Sequence, residues 1–460
     1  MALRTDANLT EVLQADPARA SRGPASRGRA SLGRLSRRAR FAGAVVIVLS
    51  VLLLVWNVST ARDGRTSAGV GLGADYLAFY NAADIVNRFG VARVYDLSLQ
   101  HTLYHQRLPG EPADAGLPFV YPPYVAVIFA PLARVGYEAS YVLWSVTSAG
   151  LYVVGVLMFC TAARLPRAAG VTALLAACAF EPFIIECLHG GQVSTVAFAL
   201  IGLAVLLHQR GWTFMSGVAL GCCVYKPTLL LVIGPALLLA GYWRLLLGCV
   251  SAMVGWGVVG VVVAGPEVMR QFLSLMLGYT RSSDTTGMVF RTWKFVDLNS
   301  FFKLLGAPSE WTMIVLLGTA GVIGWMVLGH ARRVSHVVAQ SPDDGLLFWA
   351  LVLAWTPVAN LYTGVYDSVL SAGSVLLMLA VQARRPSSSS AGVGWAIALW
   401  TVPWFSGLLA MHTGVQVHTL VLLGYAIYVS AVFRAPAPAR VPVRSTPDDL
   451  TNRVIVGVPS

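Results

Sequence analysis

Residues 75–84 read DYLAFYNAAD: a carboxylate at each end, with Tyr76, Tyr80 and Asn81 between them. Spacings of three and four predict a helix over about 74–89, with Asp75 at its start. There a carboxylate is either a simple cap, favoured by the helix dipole, or a base able to take a proton from a hydroxyl. Asp84, nine positions on, falls on another helical face and reads as a surface residue. A second group lies in EPFIIECLHGGQ (181–192), with Glu181, Glu186, His189 and Gln192. A carboxylate within an apolar segment costs about 2.5–3.5 kcal/mol on insertion scales and usually faces a cavity or a partner. His189 is either a solvated loop histidine or a substrate contact, and its two following glycines permit close backbone approach.

Cations complete the set. Lys226, in CCVYKPTLLL, is the first lysine of the chain; the next is Lys294. Lys226 either snorkels to headgroups or binds an anionic phosphate. Arg281, Arg291, Lys294 and Lys303 can add to such a site or touch anionic lipid. Asp367, after NLYTGVY, is again a cap or a site group. There is no G-x-x-x-x-G-K-[ST], H-E-x-x-H, G-x-S-x-G or Rossmann fingerprint. No histidine stands at metal-ligand spacing from Cys160, Cys178, Cys187, Cys222, Cys223 or Cys249, so these read as small apolar packing residues.

The elements that must position these groups are membrane helices. Of 460 residues, 56% are hydrophobic and only 12% charged, and mean hydropathy is +0.68. That composition leaves too little polar surface for a soluble globule. The net charge of +12 is spread in clusters between apolar runs, which argues for membrane orientation and against nucleic acid. Residues 1–40 form a basic, disordered cytoplasmic tail, 41–433 the membrane domain and 434–460 a second cytoplasmic tail.

The expectation is an all-α polytopic protein with about twelve transmembrane helices. They are placed near 41–58, 138–163, 168–187, 193–208, 212–225, 228–242, 245–264, 311–329, 346–360, 366–382, 392–409 and 415–433. Arg164, Arg167, Arg210, Arg244, Arg332, Arg333, Arg384, Arg385 and Arg434 then fall on one side, and the short opposite loops carry no Lys or Arg. That asymmetry puts both termini inside. The run at 120–135 is too short between its prolines to cross and reads as an interfacial or re-entrant helix. Two long outer loops remain, about 59–119 (helical in part) and 265–310. A broken hairpin at Lys226-Pro227 suits backbone lining a wet cavity.

Several stretches resemble one known family in order and spacing. They are GADYLAFYNAA (73–83), VYDL (94–97), FVYPPYVAVIFAPLA (119–133), GGQVSTVAFALIGLAVLL (190–207), SGVALGCCVYKPTLLLVIGPALLL (216–239) and DLNSFFKLLG (297–306). The resemblance is to glycosyltransferase family 87, membrane enzymes of the C-type fold that use polyprenyl-phosphate sugars. It implies transfer of one sugar, mannose or arabinofuranose, to a glycolipid or glycan hydroxyl outside a bacterial plasma membrane. It further implies Asp75 as general base, Lys226 on the donor phosphate, and Tyr121-Pro122-Pro123 opening a helix that lines the site. Arg291 and Lys294 are expected on the same phosphate, and Tyr76, Tyr80, Tyr121, His189, Gln192 and Asp367 around the substrates. No cofactor or metal is expected, and the oligomeric state stays open. The family's C-terminal Pro-x-x-W-x-H-like stretch has no counterpart histidine in WTPVANLYTGVYD (355–367), where Tyr366 or Asp367 is the replacement. The rival readings are a transporter or flippase of a lipid-linked or anionic substrate, and an outer-face ligase or polymerase of glycan chains.

Overall fold

The computed structural model describes residues 24–112, 115–279, 292–306, 308–335, 342–385 and 390–434. Among them the regular structure is helical, with only isolated β-bridges. The first apolar run lies in α1 (Pro24–Thr60). The connection after it holds α2 (Tyr76–Phe89) and α3 (Leu97–Arg107), so this long segment is indeed partly helical. Next comes α4 (Pro123–Phe129), opened by Pro122 and Pro123. At seven residues it reaches about 10 Å, a third of a hydrocarbon core, and lies buried instead of crossing.

Proline and glycine shape the remaining helices. α5 (Tyr137–Ala162) is continuous, whereas α6 (Arg167–Cys178) and the π-helical α7 (Pro182–His189) meet at 61° around Pro182. α8 (Ser194–Gln209) and α9 (Thr213–Gly221) follow. Lys226 then sits outside the helical region (φ −133°, ψ 77°) before Pro227, between two 3₁₀ turns, since proline disfavours α backbone in the residue before it. α10 (Leu230–Leu239) closes this broken hairpin. α11 (Trp243–Tyr279) bends at Gly265, φ 85°, before Pro266. The outer segment expected at 265–310 therefore begins as helix, because Pro266 is tolerated in the first turn of the resumed helix.

The C-terminal half comprises α12 (Leu298–Leu304), α13 (Ser309–Ser335), α14 (Pro342–Trp355), α15 (Leu370–Gln382), α16 (Ala391–Thr401), α17 (Pro403–Thr413) and α18 (Val417–Arg434). Five described helices are long and apolar enough to cross a membrane: those spanning Arg37–Thr60, Tyr137–Ala162, Trp243–Met276, Val365–Gln382 and Val417–Arg434. The bent pairs α6–α7 and α16–α17 raise the number to seven. Ser194–Gln209, Thr213–Tyr225, Pro227–Leu239 and Leu316–Gly329 are apolar but shorter.

Burial separates core from rim. Residues 346–355 of α14 are buried without a break, and α15 is nearly as enclosed. Val262 of α11 is 78% exposed and Leu52 of α1 59%, which suits faces turned toward lipid. Where α5 and α8 press together, small residues meet: a Cβ on Gly202 of α8 would stand 3.0 Å from the Gly155 carbonyl of α5.

Candidate active site

Asp75 stands at the N-cap of α2, yet its side chain makes no cap hydrogen bond. The helix start is satisfied elsewhere, because the Gly190 carbonyl accepts from the backbone N–H groups of Asp75 (3.0 Å) and Tyr76 (2.9 Å). The carboxylate is thereby left for other partners. Gln192 Nε2 donates to Oδ2 at 2.9 Å, and Lys294 Nζ lies 3.9 Å from Oδ1. The residue is only 7% exposed. Asp75 thus occupies the N-cap position of α2 without capping it by a side-chain hydrogen bond.

The stretch 190–197 joins both halves of the site. Gly191, at φ 78°, turns the chain where a Cβ would meet Tyr76 Cβ at 2.5 Å, so only glycine fits without displacement. Its carbonyl accepts from Trp144 Nε1 at 2.8 Å. Gln192, besides holding Asp75, accepts from Tyr121 Oη at 3.5 Å. Tyr225 Oη donates to the Val193 carbonyl (2.9 Å) and accepts from Ala197 N (3.0 Å). Ser194 Oγ donates to Asp367 Oδ1 at 2.7 Å.

Lys226 follows Tyr225 directly. Its ammonium donates to Asp367 Oδ1 at 2.6 Å and lies 4.2 Å from the centroid of the Tyr366 ring. Lys226 is 8% exposed and Asp367 1%, and Asp367 Oδ2 has no hydrogen-bond partner among the described residues. Removing one member of such a buried pair typically costs about 3–5 kcal/mol, because the other charge is left uncompensated. Cys187 of α7 lies between the halves: Asp75, Glu186, Lys226 and Asp367 all act electrostatically on its thiol.

A third segment clamps the site from the C-terminal side. Val296 N donates to the Thr363 carbonyl (2.8 Å), Leu298 N to the Val358 carbonyl (3.0 Å), and Phe295 bridges to Gly364. Asp297 is the N-cap of α12 and fully buried. It accepts from Ser300 N (2.9 Å), Ser300 Oγ (2.9 Å) and Thr363 N (2.8 Å). Burial outweighs these donors and lifts its carboxyl to about 6. The clamp carries Lys294 to Asp75 and seats on the segment that leads into Tyr366 and Asp367.

With this geometry in hand, residues 119–341 match the model of glycosyltransferase family 87. Over that stretch, just under half of its length, the chain is similar to glycosyltransferase family 87. It is also 26% identical over 373 residues, 77% of this chain and 78% of the relative, to a curated protein of Mycobacterium tuberculosis (strain CDC 1551 / Oshkosh). That protein is a polyprenol-phosphate-mannose-dependent alpha-(1-2)-phosphatidylinositol pentamannoside mannosyltransferase. No solved structure matches the chain significantly. The chain is therefore a glycosyltransferase, and Tyr121, Gln192, Lys226 and Lys294 lie inside the family match whereas Asp75 precedes it.

The expected site residues of this glycosyltransferase fall into two sets. Asp75, Gln192, Tyr121, Lys294, Lys226 and Asp367 are brought together. Tyr76, Tyr80 and His189 turn their polar atoms to protein. Tyr76 Oη pairs with Ser140 Oγ at 2.6 Å, and burial raises its phenol to about 12. Tyr80 Oη donates to the Val135 carbonyl at 2.9 Å, and His189 Nε2 pairs with Ser50 Oγ of α1 at 3.1 Å. Arg291 lies outside the described residues. Asp84 is not the surface residue expected. It is buried and paired with Arg107 (2.8 Å) and Arg88 (3.3 Å), because α3 folds back over α2.

Two residues gain weight from the structure. Glu186, one of the polar groups of 181–192, lies within electrostatic reach of Lys294 and Asp75. Ser194 carried no signal beyond its place in GGQVST. Glu181 is buried, and its Oε2 has no partner among the described residues.

Proposed function

We propose that this enzyme transfers a single sugar, mannose, from a polyprenyl-phosphate donor to a hydroxyl of an envelope glycolipid or glycan. The reaction takes place on the outer face of a bacterial plasma membrane, in a C-type fold of about twelve spans with both termini inside. Asp75 takes the proton of the acceptor hydroxyl as that oxygen attacks the anomeric carbon. The bond from that carbon to the donor phosphate oxygen breaks, the oxygen keeps the electron pair, and configuration inverts. Lys226, with Lys294 and Arg291, balances the charge gathering on the departing phosphate. Tyr121, Gln192 and Asp367 line the substrates, and the reaction needs no metal or cofactor.

The observation that carries this reading is the Asp75 carboxylate: buried, released from capping, and held by the Gln192 amide beside a lysine. A general base contributes about 10²–10⁴-fold. Purified wild-type enzyme given radiolabelled polyprenyl-phosphate mannose and a bacterial glycolipid extract is expected to yield a product heavier by one hexose. Asp75→Asn is expected to lose at least about a hundredfold of that rate; full retention of transfer would falsify the base assignment. Movement of the lipid-linked sugar across proteoliposomes with no new glycosidic bond would favour the transporter reading instead.

A further inference from the structure

The donor and product of the proposed reaction differ in charge at one atom group. The sugar-bearing phosphate is a diester with one negative charge, whereas the departing polyprenyl phosphate is a monoester carrying about −1.5 to −2 at neutral pH. A lone buried lysine attracts the monoester more strongly than the diester, since Coulomb attraction scales with the partner's charge. Such a site would hold its own product.

In this enzyme the lysine is not alone. Lys226 Nζ is 2.6 Å from Asp367 Oδ1, and Ser194 Oγ fixes the same oxygen at 2.7 Å. The carboxylate is buried, and Oδ2 has no donor among the described residues, so the hydrogen bonds given to it there all fall on Oδ1. The Tyr366 ring covers the ammonium on another side, with Lys226 Nζ 4.2 Å from its centroid. The second lysine of the site is arranged likewise, Lys294 Nζ lying 3.9 Å from Asp75 Oδ1. Each described cation of the site thus faces a carboxylate.

Resting on the donor-phosphate role of Lys226, we propose that Asp367 is a built-in counter-charge to Lys226 that weakens binding of the phosphomonoester product relative to the phosphodiester donor, and so speeds product release. Lys226 keeps N–H groups for the phosphate, but the net charge of the pair is near zero. The second charge of the product is then repelled by Asp367 nearly as much as Lys226 attracts it. Asp367 acts through Lys226 as a positioning residue, and its carboxylate need not touch the reacting atoms.

The test measures binding of two probes at pH 8 to the purified, detergent-solubilised enzyme: polyprenyl phosphate and its methyl ester, a phosphodiester. In Asp367→Asn the affinity ratio of monoester to diester is expected to rise about tenfold or more, because one opposing charge is gone. Inhibition by added polyprenyl phosphate should tighten in step, with a first-turnover burst followed by slow steady turnover. Asp367→Glu, which keeps the charge, should restore the wild-type ratio, and Ser194→Ala should leave that ratio within about twofold because it alters no charge. Asp367→Ser is a second neutral variant, and monodisperse elution establishes folding for each. A ratio unchanged in a folded neutral variant overturns the proposal. Wild-type enzyme that binds neither probe overturns instead the donor-phosphate reading beneath it.

Discussion

Both ends of the Gln192 amide are engaged at the site, with Nε2 on Asp75 and Oε1 accepting from Tyr121. Its loss frees a buried carboxylate to rotate and removes the link to the helix that begins at Pro123. Gln192→Ala is expected to lower kcat about 10–100-fold, in line with the cost of misplacing a reacting group, while the thermal midpoint moves little. Steady-state kinetics beside a melting curve check both. Tyr76 makes the contrasting case. Its hydroxyl meets Ser140 and its ring lies among Tyr80, Phe129, Tyr137, Tyr141 and Trp144. Tyr76→Phe is expected to cost about 1 kcal/mol of stability, as for one buried hydrogen bond, with the donor KM unchanged. A KM shift without destabilisation would instead return Tyr76 to the substrate site. Sequence alone placed Tyr76 and Gln192 in one class, since a polar residue beside Asp75 and another after two glycines carry equal signals. What separates them is which way each points, and that is set by contacts with residues 64 and 117 positions away in the chain.

At the scale of elements, the site is assembled by backbone docking. The segment 292–306 is tied to 356–364 through Val296, Asp297 and Leu298, and this tie is what brings Lys294 to Asp75. The sequence recorded DLNSFFKLLG only as part of a resemblance; an N-cap Asp three residues before a serine is visible there, but its bond to Thr363 N is not. By contrast, the Lys226-Pro227 break and the short helix after Tyr121 were legible, because proline geometry is local. The π-helical turn at Pro182–His189 was not; it packs against 365–369, more than 170 positions away in the chain. Asp297 also supplies a pH prediction. Its carboxyl sits at about 6 in the folded protein against an ordinary 3.8. The folded state therefore binds this proton more tightly than the unfolded one. The associated stability is fully present below about pH 4 and is lost as pH rises through about 6. Asp297→Asn is expected to flatten the thermal midpoint between pH 4 and 6 relative to wild type, read by a thermal melt in detergent. An identical pH slope in wild type and variant would show that another group governs that range.

At the scale of the whole molecule, the number of crossings decides where the parts lie, and parity makes the question sharp. Helix length and composition give five to seven crossings. Five or seven would put the end of α18 on the opposite face from the start of α1. The charge pattern argues otherwise: Arg37, Arg38 and Arg40 flank the first apolar run, and Arg434 closes the last. Basic flanks of this kind stay on the cytoplasmic side. Twelve crossings reconcile the two observations if the four shorter apolar helices and α14 (Pro342–Trp355) also span, tilted against neighbours or capped by 3₁₀ turns as at Thr213–Tyr225 and Pro227–Leu239. Their ends would then lie within protein, where irregular backbone at membrane depth is tolerated. A fluorescent protein fused after Arg434 is accordingly expected to fluoresce in cells, and alkaline phosphatase at the same point to be inactive. In a background with the six free cysteines removed, Ala68→Cys should react with a membrane-impermeant maleimide on intact cells, and Ala383→Cys only after lysis. Active phosphatase at the C-terminal fusion would fix an odd number of crossings. Protection of Ala68→Cys would move the loop bearing Asp75 to the cytoplasmic face, where the outer-face donor proposed for this site could not reach it.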